Sequence, residues 1–188
     1  AVLHHRPFVG YILQLGFAQG ILFGNIASSP FIVQEHYGFS AFGFSLCFAA
    51  NSLAIMSAAA LAVRFRRQER ATLLGCRGML LFSLATAAAL ACHCGFWLYE
   101  VLVFALLFSM GITFPATTTL AMDCTREHAG TAPALLGAVC FAFGGLVSPL
   151  VGMGDTLLST GTVFVVCAVG SWLAFRSALH PRNRLAVA

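Results

Sequence analysis

Six long apolar stretches fill this chain of 188 residues, and its ten basic residues, all arginine, sit at their ends or in the loops on one side. Nothing else in the sequence constrains the fold so tightly. The stretches cover residues 8–29, 41–63, 71–92, 96–122, 130–152 and 159–175, roughly 17 to 27 residues each, and a helix needs about 20 to cross the hydrocarbon core. Lipid cannot hydrogen-bond a backbone, so such spans must be helices, and the polar–apolar alternation of a membrane barrel is missing. A composition 60% hydrophobic and 9% charged lies far from that of soluble domains. The fold class expected is therefore all-α membrane with six transmembrane helices. No low-complexity or Gly/Ser linker divides them, so residues 1–188 read as one domain.

Orientation follows from arginine. Arg6 precedes the first span, Arg64, Arg66, Arg67, Arg70 and Arg77 lie between or just inside the second and third, Arg126 follows the fourth, and Arg176, Arg182 and Arg184 close the chain. The opposite loops carry Glu35, His36, His93 and Asp155 and no arginine. By the positive-inside rule both termini are expected in the cytoplasm. The net charge of +4 is then a topological signal and not a nucleic-acid patch, which would gather on one soluble surface with polar and aromatic company. The chain opens Ala1-Val2-Leu3-His4-His5-Arg6-Pro7, without an initiator Met or a signal-peptide pattern, and reads as part of something longer.

Polar residues inside a membrane cost free energy and usually face a partner helix or a wet cavity. The first span holds Gln14, Gln19 and Asn25, the second Asn51, and the fourth Glu100, Ser109, Thr113, Thr117, Thr118 and Thr119. The third and sixth carry little beyond Ser, Thr and Arg, as supporting helices would. At 100° per residue Gln14, Ala18, Ile21, Asn25 and Ser28 share a stripe, while Gly16, Gly20 and Gly24 form a small-residue ridge that lets two membrane helices approach closely. The amide stripe either bonds to adjacent helices or faces substrate. Ser109, Thr113 and Thr117 recur every four residues around Pro115, which removes a backbone donor; this is either a gating kink or a tolerated bend with the hydroxyls bonded back to the chain. Glu100 and Asp123 lie near opposite ends of the fourth span, shallow enough to be solvated or paired, with Arg126 and Glu127 beside Asp123.

Seven cysteines, Cys47, Cys140 and Cys167 among them mid-span, imply no disulfide framework. Cys92-His93-Cys94 is spaced too tightly for an ordinary zinc site and has no second pair nearby. No metal and no cofactor is expected. Nor does the chain carry a His-Glu-x-x-His helix or a Gly-x-Ser-x-Gly elbow with a plausible His, so it is not read as an enzyme.

Leu46-Cys47-Phe48-Ala49-Ala50 echoes Val139-Cys140-Phe141-Ala142-Phe143 half a chain later, as in a repeat of three helices plus three. Longer words carry a family resemblance. Ser29-Pro30-Phe31-Ile32-Val33-Gln34-Glu35-His36-Tyr37-Gly38-Phe39-Ser40 and Phe48-Ala49-Ala50-Asn51-Ser52-Leu53 resemble the seventh-to-eighth helix region of the bicyclomycin-resistance (Bcr/CflA) branch of the major facilitator superfamily. Gly111-Ile112-Thr113-Phe114-Pro115, Ala129-Gly130-Thr131-Ala132-Pro133-Ala134-Leu135-Leu136-Gly137 and Ser148-Pro149-Leu150-Val151-Gly152 resemble its tenth and eleventh. The order and spacing run over nearly the whole chain.

The resemblance implies the carboxy-terminal six-helix half, a 3+3 inverted repeat, of an exporter of small amphiphilic drugs driven by inward proton movement across a bacterial inner membrane. It implies an upstream half, or a partner subunit, holding the coupling carboxylate. Under this arrangement the first and fourth helices line the central cavity, which makes Gln14, Asn25, Asn51, Ser109 and Thr113 cavity candidates with Phe17 and Phe23 as apolar wall. The chain departs from the family pattern at Ala116, where Asn is common, and at Pro133. The alternative is a non-transporting half-length subunit that packs on a partner through Gly16, Gly20 and Gly24.

Overall fold

The structure, a computed structural model, describes residues 6–125 and 130–185, with side chains as far as residue 179. Six long helices run in alternating directions: α1 Arg6–Pro30, α2 Ala41–Ala62, α3 Gln68–Ala91, α4 Phe96–Asp123, α5 Thr131–Val151 and α6 Thr156–Leu185. All six are long and apolar enough to cross a membrane. Their ends differ from those read by hydropathy wherever polar groups continue a helix beyond the hydrocarbon. Gln68 begins α3 with its side-chain amide donating to the Phe65 carbonyl at 3.2 Å. The Asp155 carboxylate accepts from the Leu157 and Leu158 N–H groups at 2.9 and 3.3 Å, and starts α6 three residues ahead of the expected 159. Instead of stopping at Ser29, α1 passes through Pro30 into one π turn, Phe31–His36. Gly38, at φ +72°, then reverses the chain, and Ser40 caps α2 by accepting from the Gly43 N–H at 3.2 Å.

The packing has an internal symmetry. Helix α1 lies on α5 and α6, α4 lies on α2 and α3, α3 and α6 pack together, and α1 touches α4. Exchanging the first triplet for the second maps each of these pairs onto another or onto itself. Three helices per triplet mean that α1 and α4 run in opposite directions, so the repeat is inverted. Both are well buried, whereas α2 and α5 bury the smallest share of their surface. Phe42, Leu46, Leu53 and Met56 of α2 and Phe141 and Leu146 of α5 are all exposed.

Contacts between membrane helices rest on close fit, because lipid is as apolar as leucine. Small residues supply that fit. A Cβ on Gly111 of α4 would lie 2.6 Å from the Ile55 carbonyl oxygen of α2, and one on Gly10 of α1 would lie 2.7 Å from the Ala178 Cβ of α6. Gly75 and Gly78 of α3 admit Thr113 and Ser109 of α4. The Gly16, Gly20 and Gly24 ridge lies against Phe143 and Val147 of α5 and Val163, Phe164 and Cys167 of α6.

Candidate functional site

Three helices converge on a small polar cavity. Asn25 and Ser29, four residues apart on one face of α1, meet Cys47 and Asn51 of α2 and Tyr99 and Glu100 of α4; Val33, Phe44 and Phe48 complete the lining. Asn51 donates from Nδ2 to Glu100 Oε1 at 2.9 Å. The Oδ1 atoms of Asn25 and Asn51, the Ser29 Oγ and the Tyr99 Oη are buried there with no hydrogen-bond partner. Each such atom costs about 1–3 kcal/mol when left unpaired, so four around one carboxylate mark a place built to be filled.

An aromatic cluster holds the α4 side in position. Tyr37, just past the π turn, packs its ring 5.5 Å from Phe96 and 5.8 Å from Tyr99, and Phe39 lies 4.2 Å from Phe96. The Tyr37 hydroxyl donates to the Cys94 carbonyl oxygen at 2.9 Å. Burial, then hydrogen bonding to the Cys94 side chain, pushes this phenol up to about 12. The loop after α1 is thereby tied to the loop before α4, which fixes Tyr99 and Glu100 against α2.

Of the residues expected to line a cavity, Asn25 and Asn51 meet in this pocket and the others lie elsewhere. Gln14 is fully buried where α1 crosses α3 and α6, donating to Ser171 Oγ at 3.0 Å and to Cys76 Sγ at 3.6 Å, with its Oε1 left without a partner; it bonds neighbouring helices and does not line this pocket. It shares a helical stripe with Asn25, but the helices cross, so the stripe meets α3 and α6 at one level and α2 and α4 at the other. Ser109 and Thr113 do not line this pocket either. They face Gly78 and Gly75 of α3, and their hydroxyls donate back to Ala105 and Ser109 carbonyls at 2.8 and 2.9 Å.

Phe17 stands edge-on to Phe143 at 4.7 Å and against Gly170. It belongs to the wall of an apolar groove of about 550 Å³ between α5 and α6. Phe23 packs on Gly144 and lies 6.1 Å from Phe141. Around Pro115 the helix α4 is continuous, and Thr118 and Thr119 donate back to the Phe114 and Pro115 carbonyls at 2.8 and 2.9 Å. Arg126 and Glu127, the neighbours expected for Asp123, lie outside the described residues.

The pocket members that sequence reasoning missed are Ser29, Tyr99 and, as a partner of Asn51, Glu100. The one signal for Ser29 was its spacing of four from Asn25. At the end of the bundle away from Arg64–Arg70, Glu35, His36, His93 and Asp155 border an open groove of about 390 Å³, with the two imidazoles 6.0 Å apart. Among the described residues no three His, Cys, Asp or Glu side chains are placed to hold a metal.

Two comparisons bear on the family. The sequence model of the Major Facilitator Superfamily matches residues 1–149. An uncharacterized MFS-type transporter of Bacillus subtilis (strain 168), YdgK, is 34% identical over 179 residues, which is 93% of this chain and 44% of that protein. The chain thus spans less than half the length of this curated relative.

Proposed function

Because the chain belongs to the major facilitator superfamily, we propose that it is the carboxy-terminal half of a proton-driven exporter of small amphiphilic drugs, of the Bcr/CflA kind. It sits in a bacterial inner membrane with both termini cytoplasmic, the side on which the arginines gather. Alternating access needs two halves rocking about a site near the midplane. The exposed apolar residues of α2 and α5 are the surface this half offers to the other, and the drug binds between them. The coupling carboxylate belongs to the absent half, as the family resemblance implies.

The observation that carries the reading is the convergence of Asn25, Asn51 and Glu100 from three helices. A supporting helix bundle has no use for such a pocket. A transporter that moves polar groups past α1 and α4 needs polar groups there. Asn25→Leu in the intact protein is expected to weaken drug resistance without lowering its level in the membrane. Unchanged resistance at equal expression refutes the assignment.

A further inference from the structure

We infer that the pocket between α1, α2 and α4 binds one sodium-sized monovalent cation, with the Glu100 carboxylate as its anionic ligand. This goes beyond drug export and does not depend on it. The donor set comes first. Asn25, Ser29, Asn51 and Tyr99 are 3%, 6%, 7% and 1% exposed, and each lines the same small space and carries a buried oxygen without a partner. Asn51 divides its amide, with Nδ2 on Glu100 and Oδ1 left for the pocket. Neutral amide and hydroxyl oxygens around one carboxylate are the ligands of a hard cation.

Size and charge narrow the choice. The cavity leaves about 10 Å³ for the centre of a water molecule, room for a single occupant. Magnesium keeps several waters and calcium takes six to eight oxygens; one occupant and one carboxylate suit neither. A softer metal finds a single thiol, Cys47, in the lining and no group of three His, Cys, Asp or Glu among the described residues. A water molecule can donate to the two amide oxygens, but it leaves the carboxylate charge in a membrane-spanning helix uncompensated. A proton on Glu100 supplies one donor. A sodium ion engages all the oxygens together and neutralises Glu100, tying α1, α2 and α4 at one point. Glu100 is only half-buried, which gives the ion a way in.

The test uses the full-length transporter in detergent, with sodium replaced by choline at constant ionic strength. Radioactive sodium is expected to bind saturably to wild type, with one site lost in both Glu100→Gln and Asn51→Leu and kept in Thr118→Ala. Binding is read without any drug, so its failure is distinct from a failure of export. A second readout needs no variant. Cys47 lines the pocket, and its alkylation, followed by peptide mass spectrometry, is expected to slow about tenfold at sodium ten times its dissociation constant, when about one pocket in eleven is empty. Equal alkylation in sodium and choline, or sodium binding that survives intact in Glu100→Gln, overturns the proposal and leaves the cavity to water.

Discussion

Gly111→Ala tests whether the contact between α2 and α4 is as tight as it looks. The added Cβ would lie 2.6 Å from the Ile55 carbonyl oxygen, 2.8 Å from the Ala58 Cβ and 3.0 Å from the Ile55 Cα. Carbon–oxygen contacts between helices settle at about 3.3–3.6 Å, so the helices must part by roughly 0.7–1.0 Å. The neighbours are backbone and a methyl group, with no flexible end to swing aside. A gap of that size forfeits about a quarter to a half of each dispersion contact along the seam. Overpacking costs about 1–3 kcal/mol, and removing a helical glycine returns about 0.5–1 kcal/mol. The two ranges bracket a net loss of roughly 0–2.5 kcal/mol, and because the neighbours cannot swing aside the upper part is expected, about 1–2 kcal/mol or a factor of roughly 5–30 in the folded-to-unfolded ratio. Unfolding of the purified full-length protein in mixed micelles by SDS titration measures it. The control is Gly137→Ala on α5, where an added Cβ meets nothing within 4 Å of this chain. If Gly111→Ala is as stable as wild type within about 0.5 kcal/mol, the close approach is wrong and the argument built on it fails.

Gln14→Leu and Ser171→Ala, alone and together, are expected to couple by about 0.6 kcal/mol in the same titration, the usual worth of a hydrogen bond between membrane helices; zero coupling removes Gln14 from that junction. The Tyr37 phenol is raised in the fold, so the stability it contributes is complete below pH 10 and is lost as pH rises from about 10 through 12. Tyr37→Phe is expected to flatten that alkaline fall, as followed by pH-dependent thermal unfolding. On a background without the native cysteines, Cys at position 35 or 155 is expected to react with an impermeant thiol reagent added outside and Cys at position 68 is not; outside labelling at 68 inverts the orientation.

Length and hydropathy made the six helices legible because a bilayer fixes how long an apolar span must be, and alternating arginine made their order in space legible as well. What hydropathy could not show is how a helix leaves the membrane. Pro30 reads as a stop, yet α1 continues through it as a π turn because Tyr37 is held by Phe96, Tyr99 and the Cys94 carbonyl, contacts more than fifty residues away. The glycines divide along the same line. Gly16, Gly20 and Gly24 announce themselves by spacing, whereas Gly111, which makes one of the closest approaches, has no periodic company and becomes visible only when Ile55 is placed against it.

Depth along a helix was also the wrong coordinate for the site. Counted from the start of α4, Glu100 is the fifth residue and looks shallow, while Asn51 is the eleventh of α2. They nevertheless share a hydrogen bond, because crossing helices bring different turns to the same level. The converse holds for Gln14, Ser109 and Thr113. Each is well inside a span, and each donates its hydrogen bonds within the bundle, with only the Gln14 Oε1 left over and outside the cavity. Polar residues in a membrane helix are therefore separated by whether their unpaired atoms belong to a cavity that several helices line together, and not by how deep they lie. On that criterion α1 contributes Asn25 and Ser29, α2 contributes Asn51, α4 contributes Tyr99, and the carboxylate they surround is the one to mutate first.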